Sequence, residues 1–393
     1  MTTGVLAFIA AILIVIMVHE AGHFAVAKLF GFKATKFFLG FGPTIWSVQK
    51  GETEYGVKAL PLGGFVKIIG MSPYEEIEPE DEPRSYPNKP RWQRALLLVA
   101  GSATHWVLAF VLLLITTMTI GFPTDQPSNE VAFVQRSVDG VETAAARGGF
   151  EVGDRIIAIG GRPTDSWEEI VAYIQERPNE TAEFTVEREG REVDIEVPIN
   201  PAIFEGQELV TAAEPGGDLR EPAPGERIGG FLGIRPDARY ERLAFLPAIA
   251  DSAEKVGQLT VASVRGIGDV FGMVFGGELW DALSGTGERQ IDEGPLGIVG
   301  AGRIAGESVE EGRVIDLVGL IVGFTVFVGL MNLLPLPPLD GGHLAVLAFE
   351  KVTGKTVDVR KLIPIAAAVI SFFVILFFAV LYLDLARPIK VPF

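Results

Sequence analysis

The chain has 393 residues, a formal net charge of −17 and a positive mean hydropathy of +0.34. It contains four histidines and no cysteine, which excludes disulfides and thiolate metal sites. High hydropathy together with high charge is typical of membrane helices joined to a polar soluble part, and the acidic balance argues against nucleic acid as a partner.

Four apolar stretches predict four transmembrane helices, at about residues 4–30, 95–120, 314–334 and 362–385. The first could be a signal peptide, but no basic residue precedes it and no small-residue cleavage site follows, so we interpret it as a retained helix. Residues 240–283 are less apolar and carry charges. We expect amphipathic helices at the membrane surface there, with a fifth span as the alternative.

Loop charges predict the orientation of these helices. Residues 31–94 hold nine basic residues, and a second basic loop, at 351–361, follows the third span. Both loops should be cytoplasmic. The segment between the second and third spans, with 23 acidic and 9 basic residues at 121–230, and both termini should then be extracytoplasmic.

The acidic segment shows the pattern of a small α+β domain. A strand at 131–134, a turn and strand beginning at Gly149, a helix at 165–176 capped by Ser166, and a hairpin turning at Glu189-Gly190 follow in order. This order resembles a PDZ domain of the bacterial type, which binds an extended peptide as an added strand. Residues 203–227 are rich in Gly, Pro and Glu and predict a linker or long loop.

The first span contains His19-Glu20-Ala21-Gly22-His23, an H-E-x-x-H motif. Residues four apart share one face of a helix, so both imidazoles can reach one zinc ion while Glu20 holds a water against it. Three ionisable groups within a membrane helix are costly unless they pair or bind something. A polar patch facing other helices is the alternative interpretation.

A catalytic zinc usually has three protein ligands. The candidate for the third is Asp340, which follows a helix-breaking proline cluster at 335–338 after the third span. Irregular backbone at membrane depth is tolerated where it lines a protein cavity, so this carboxylate could turn toward the zinc. From spacing alone, Asp340-Gly341-Gly342 could equally be a surface turn.

Taken together, the two motifs resemble those of the site-2 protease family of intramembrane zinc metalloproteases. That resemblance implies zinc ligands at His19, His23 and Asp340, catalysis by Glu20, and binding of substrate backbone by Asn332. It implies four transmembrane helices with a membrane-reentrant β-loop near 45–60 and one inserted PDZ domain. The expected divisions are residues 1–121, 122–235, 236–312 and 313–393.

The length and single PDZ domain look like those of actinobacterial family members, which cut single-span anti-sigma factors after an upstream site-1 protease. The chain departs from the family at His105, where an Asn is common. His105 could bond a neighbouring helix or tune the site, and a ligand role for His343 is also open. A non-enzymatic receptor with a relic metal site and a zinc transporter remain as rival classes.

Overall fold

The computed structural model describes residues 2–72, 75–285, 295–310 and 313–388. It divides the chain into two units, the first formed by residues 1–119 and 243–393 and the second by residues 120–242. Both termini were predicted to be extracytoplasmic, and the terminal residues 1 and 389–393 lie outside the described ranges. Part of the predicted surface segment 236–312 lies outside them as well.

The first unit is mainly helical and carries one β-hairpin. Numbered in chain order over both units, its elements are α1 (Thr2–Leu29), β1 (Ala34–Lys50), β2 (Thr53–Ile68), α2 (Arg91–Thr119), α5 (Phe245–Gly276), α6 (Glu278–Ser284), α7 (Ile298–Glu310), α8 (Val314–Asn332), α9 (Asp340–Thr353) and α10 (Ile363–Ala386).

Five of the described helices, α1, α2, α5, α8 and α10, are long and apolar enough to cross a membrane. Charges interrupt the apolar pattern of α5, and that pattern predicted surface helices there. In the structure α5 is one continuous helix, and the Lys255 ammonium pairs with the Asp251 carboxylate one turn earlier, at 2.5 Å. By length and composition, α5 therefore matches the fifth-span alternative.

The hairpin is longer than predicted and folds back on itself. Residues 34–39 pair both with 64–68 and with 54–57, and residues 46–50 pair with 53–57. This gives four segments in the order 46–50, 53–57, 34–39 and 64–68, and residues 64–68 form one edge. The first two and the last two segments pair antiparallel, whereas the two middle segments run in the same direction. Gly51, at φ +62°, makes the tight turn that the sequence predicted.

The Gly51 end of the hairpin is tied to the end of α1. The Glu52 carboxylate accepts hydrogen bonds from Lys28 Nζ at 2.6 Å and from both terminal nitrogens of Arg84. These cations lower the pKa of Glu52 to about 2. The opposite end exposes large apolar side chains, which are the ones suited to enter a membrane: Phe41, Ile45, Trp46, Leu60 and Leu62.

We expect Glu52→Gln to lower the free energy of unfolding of the full chain in detergent by about 1 kcal/mol at neutral pH, because the pair is partly solvated. Because the pKa of Glu52 is lower in the folded chain than its ordinary value of 4.5, the ionised carboxylate stabilises the fold at pH values above 4.5. That contribution is lost as the pH falls toward 2. Denaturant unfolding at a series of pH values should show wild type and variant converging below pH 4.5. A constant difference between them would contradict this account.

The second unit is built on an antiparallel sheet. Its elements are β3 (Phe122–Val134), β4 (Ser137–Val138), β5 (Val141–Glu142), α3 (Ala144–Gly148), β6 (Arg155–Ile159), β7 (Arg162–Pro163), α4 (Trp167–Gln175), β8 (Thr181–Arg188), β9 (Arg191–Pro198), β10 (Asn200–Glu205), β11 (Glu208–Ala212), β12 (Glu226–Phe231) and β13 (Ile234–Glu241). The strand order of the sheet is β13-β3-β6-β8-β9, with β7 beside β6, and three further strands form a sheet in the order β11-β10-β12.

Several predicted features of this unit are present. The Ser166 hydroxyl caps α4 by accepting from the Glu169 N–H, and Glu189 and Gly190 turn the β8–β9 hairpin with positive φ. The pairing of β13 with β3 extends the unit to Arg242, beyond the predicted end at 235. The PDZ assignment itself stays a prediction.

The predicted linker at 203–227 is wrong in part, because β10, β11 and the start of β12 lie within or across it. Its first residues bury Ile203 and Phe204, at 0% and 5% exposure, in a small second sheet. Burial of consecutive apolar residues in β10 outweighs the Gly and Pro content there, and only residues 213–225 remain a long loop.

Candidate metal centre

His19 and His23 lie one helical turn apart on α1, as their spacing requires. Their Nε2 atoms are 3.0 Å apart, and the exposed fractions of the two side chains are 11% and 12%. Two imidazole nitrogens thus point at the same small space inside the helical unit.

Asp340 completes the cluster from the far part of the chain. Its Oδ2 lies 3.3 Å from His19 Nε2 and 3.2 Å from His23 Nε2. The proline segment after α8 reverses the chain, and α9 begins at Asp340 itself. The two positions after Asp340 require glycine, because the reversed chain passes close to them. A Cβ on Gly341 would lie 2.1 Å from the Leu333 carbonyl oxygen, and one on Gly342 would lie 2.5 Å from the Pro337 nitrogen. The proline cluster and the two glycines together place the carboxylate.

The three side chains fit a zinc ion. They form the one metal-capable group of His, Asp and Glu residues found within the described ranges. Ligand atoms in a tetrahedral zinc site lie roughly 3.3–3.5 Å apart, close to the spacings seen here. Asp340 Oδ2 is buried and forms no hydrogen bond to any described residue, so its lone pairs are available to a cation.

Close approach of α2 to α1 shapes the other wall of the centre. A Cβ on Gly101 would lie 2.2 Å from His23 Nε2 and 2.8 Å from His19 Cε1. A Cβ on Gly22 would lie 2.5 Å from the Ala100 carbonyl oxygen. Glycine at these two positions lets the helices pack tightly enough to leave room for both rings and an ion.

We expect Gly101→Ala to abolish zinc retention, since the added methyl overlaps His23 Nε2. Zinc content after purification in detergent, measured by atomic emission, reports the effect. The matched control is Gly319→Ala in α8, where an added Cβ meets nothing within 4 Å. Equal zinc content in the two variants would contradict the described packing.

Each histidine of the metal-capable group is held through its Nδ1 atom. His23 Nδ1 lies 2.8 Å from the Leu97 carbonyl oxygen, and His19 Nδ1 lies 3.0 Å from His105 Nε2. Both partners belong to α2. Such outer contacts fix the ring orientation and tautomer of a metal-binding histidine.

Glu20 lies between the two histidines in sequence but is not part of the metal-capable group. Its Oε2 accepts a hydrogen bond from the Val66 N–H at 2.9 Å. Val66 belongs to the edge segment 64–68 of the hairpin sheet, so the carboxylate lies between the metal-capable group and a strand edge.

The remaining predicted residues lie on the two helices that flank the proline segment. Asn332 is the last residue of α8. His343 lies on α9 one turn after Asp340 and outside the metal-capable group. Sequence reasoning missed Leu97, Val66 and Gly101. The first two contribute backbone groups, which leave no signal in a sequence, whereas the small residues at 100–103 could have indicated close helix packing.

Comparison with known proteins bears directly on this site. Residues 7–378 match the family model described as Peptidase family M50. The chain belongs to this peptidase family. It is 32% identical to the zinc metalloprotease Rip1 of Mycobacterium tuberculosis, over 99% of this chain and 98% of that protein. It is also 30% identical to the metalloprotease MmpA of Caulobacter vibrioides, over 86% and 84% of the two chains.

Membership of the family makes the chain a zinc metalloprotease of the site-2 type and a multi-pass membrane protein. The cofactor predicted from the H-E-x-x-H motif is therefore confirmed as zinc. The receptor and transporter alternatives are set aside by the same finding.

Proposed function

We propose that this protease hydrolyses peptide bonds within or next to the transmembrane segments of single-span membrane proteins, anti-sigma factors among them. The observation that carries the proposal is the meeting of His19, His23 and Asp340 beside Glu20 in a unit built of membrane-length helices. Protease chemistry placed among such helices acts on polypeptide that lies in the membrane.

In this proposal His19, His23 and Asp340 hold the zinc through one nitrogen or oxygen atom each. When bound, zinc acts as a Lewis acid that polarises the scissile carbonyl and makes water more acidic. Glu20 takes the proton of the attacking water and later delivers it to the leaving amine. Its hydrogen bond from Val66 keeps the carboxylate oriented in the absence of substrate.

A helical substrate hides its amides and must be extended before it is cut. The segment 64–68 is an edge of the hairpin sheet next to Glu20, and an extended peptide can add to such an edge as a further strand. Asn332, at the end of the helix that leads to Asp340, would hydrogen-bond the substrate backbone. The apolar end of the hairpin favours a membrane-reentrant position for this sheet.

The inserted unit is proposed to lie outside the cell and to exclude substrates with bulky ectodomains until a site-1 protease trims them. Its removal should leave the catalytic unit intact, because the Leu243 N–H bonds the Thr117 carbonyl oxygen at 3.2 Å and the cut ends are adjacent. We expect deletion of residues 120–242, closed by a short Gly-Ser linker, to permit cleavage of an untrimmed substrate.

The experiment uses membranes that contain a tagged single-span anti-sigma factor, either full length or with its ectodomain removed. Wild type should cut the trimmed form alone, the deletion variant should cut both, and gel mobility separates the products. Zinc content checks the variant. Failure of wild type to cut the trimmed form would contradict the substrate class, whereas identical selectivity in the two proteases would contradict the filter.

A further inference from the structure

His105 is a third histidine at the metal centre, and the sequence predicted that it either bonds a neighbouring helix or tunes the site. It is 1% exposed on α2, and its Nε2 lies 3.0 Å from His19 Nδ1. Its own Nδ1 is buried and bonds no described residue. A buried imidazole aimed at the outer nitrogen of a ligand histidine calls for a physical reason.

The direction of this hydrogen bond follows from the chemistry of His19. A neutral imidazole carries its hydrogen on one nitrogen and a lone pair on the other. His19 can present a lone pair from Nε2 to a metal only if its hydrogen is on Nδ1. His105 Nε2 must then accept that hydrogen, which places the hydrogen of His105 on Nδ1.

His105 is not placed to be a ligand itself. It contacts the ring nitrogen of His19 that faces away from Asp340, whereas the three convergent atoms are His19 Nε2, His23 Nε2 and Asp340 Oδ2. For His23 the same outer place is taken by the Leu97 carbonyl oxygen. The two ligand histidines thus differ, since one is held by backbone and the other by a side chain that can be replaced.

We propose that His105 is a positioning residue, which accepts the Nδ1 hydrogen of His19 and so holds that ring in the tautomer and orientation that bind zinc. The inference rests on the ligand roles proposed above. It adds a side chain whose loss should weaken zinc binding although the side chain never touches the metal, as outer partners of metal-binding histidines do.

The test measures zinc affinity of the full chain in detergent, by competition with a chromophoric chelator. His105→Leu removes the acceptor and should weaken binding by about 10–100-fold. Gln places an amide oxygen near the position of His Nε2, whereas Asn is too short. His105→Gln should therefore remain within a few-fold of wild type and His105→Asn should resemble His105→Leu.

Ser102→Ala is the matched control, since Ser102 is buried on the same helix and its hydroxyl bonds no described residue. Zinc affinity unchanged in His105→Leu would overturn the proposal. So would equal affinities in the Gln and Asn variants, a comparison that holds even if the leucine variant misfolds. Asp340→Asn, measured alongside, separates the proposed ligand set from the proposed role of His105. Wild-type zinc affinity in Asp340→Asn would contradict the ligand set. Unchanged affinity in the His105 variants, with zinc lost in Asp340→Asn, would contradict the role of His105 alone.

Discussion

Replacing Glu20 with glutamine is expected to reduce the rate of peptide hydrolysis by roughly 10²–10⁴-fold while zinc stays bound. The amide has nearly the shape of the carboxylate and can still accept the Val66 N–H, so the local structure should persist. It cannot take a proton from water, and the chemical step loses its base. Turnover of a single-span substrate in liposomes and zinc content of the same preparation measure the two effects.

Glu54→Gln is the control for this substitution, because Glu54 lies on the hairpin whose Val66 contacts Glu20 and, among the described residues, its carboxylate forms a long ion pair with Lys36 at 3.7 Å. It should cleave at the wild-type rate. A Glu20→Gln protein that retained full activity would remove Glu20 from the chemistry, and one that lost its zinc would instead make Glu20 part of the metal site.

Replacing Asp340 with asparagine is expected to abolish activity through loss of zinc. The substitution preserves size and the start of α9, but it removes the anionic oxygen that faces both imidazoles at 3.2–3.3 Å. Loss of a direct ligand should exceed the roughly 10–100-fold cost of losing an outer partner. Chelator competition gives the zinc affinity, and circular dichroism confirms that the helices remain.

His343→Asn is the matched control, since His343 is the other ionisable side chain in the first turn of α9 and lies outside the metal-capable group. Its zinc affinity should equal that of wild type. If instead His343→Asn lost zinc and Asp340→Asn kept it, the third ligand would have to be reassigned from Asp340 to His343.

Sequence alone predicted the parts of this protein that depend on short-range periodicity. His19 and His23 lie on one face of α1 because the helical repeat brings residues four apart together, and Ser166 caps α4 because its hydroxyl accepts the N–H three residues on. Asp340 was harder to predict, because its position depends on a chain reversal. The prolines indicate that the chain turns but do not determine the direction of the Asp340 side chain. That direction depends on the close approach of Gly341 and Gly342 to the preceding backbone.

Other features could not be predicted, for physical reasons. The Val66 N–H and the Leu97 carbonyl are backbone groups, and every residue type but proline offers both. The bond between His105 and His19 depends on how α2 is rotated against α1, which side-chain packing decides. The charges in α5 predicted surface helices, yet Lys255 and Asp251 pair across one turn, and by length and composition the helix could also cross a membrane.

The most direct test of intramembrane proteolysis by this centre is to map the bond that is cut. Purified chain stripped of metal is placed in liposomes with a trimmed single-span substrate, zinc is added back, and mass spectrometry identifies the new termini. We predict that fragments appear only after zinc is restored and that their termini lie within or beside the transmembrane segment. Fragments formed without zinc, or cut only in the soluble part of the substrate, would contradict this.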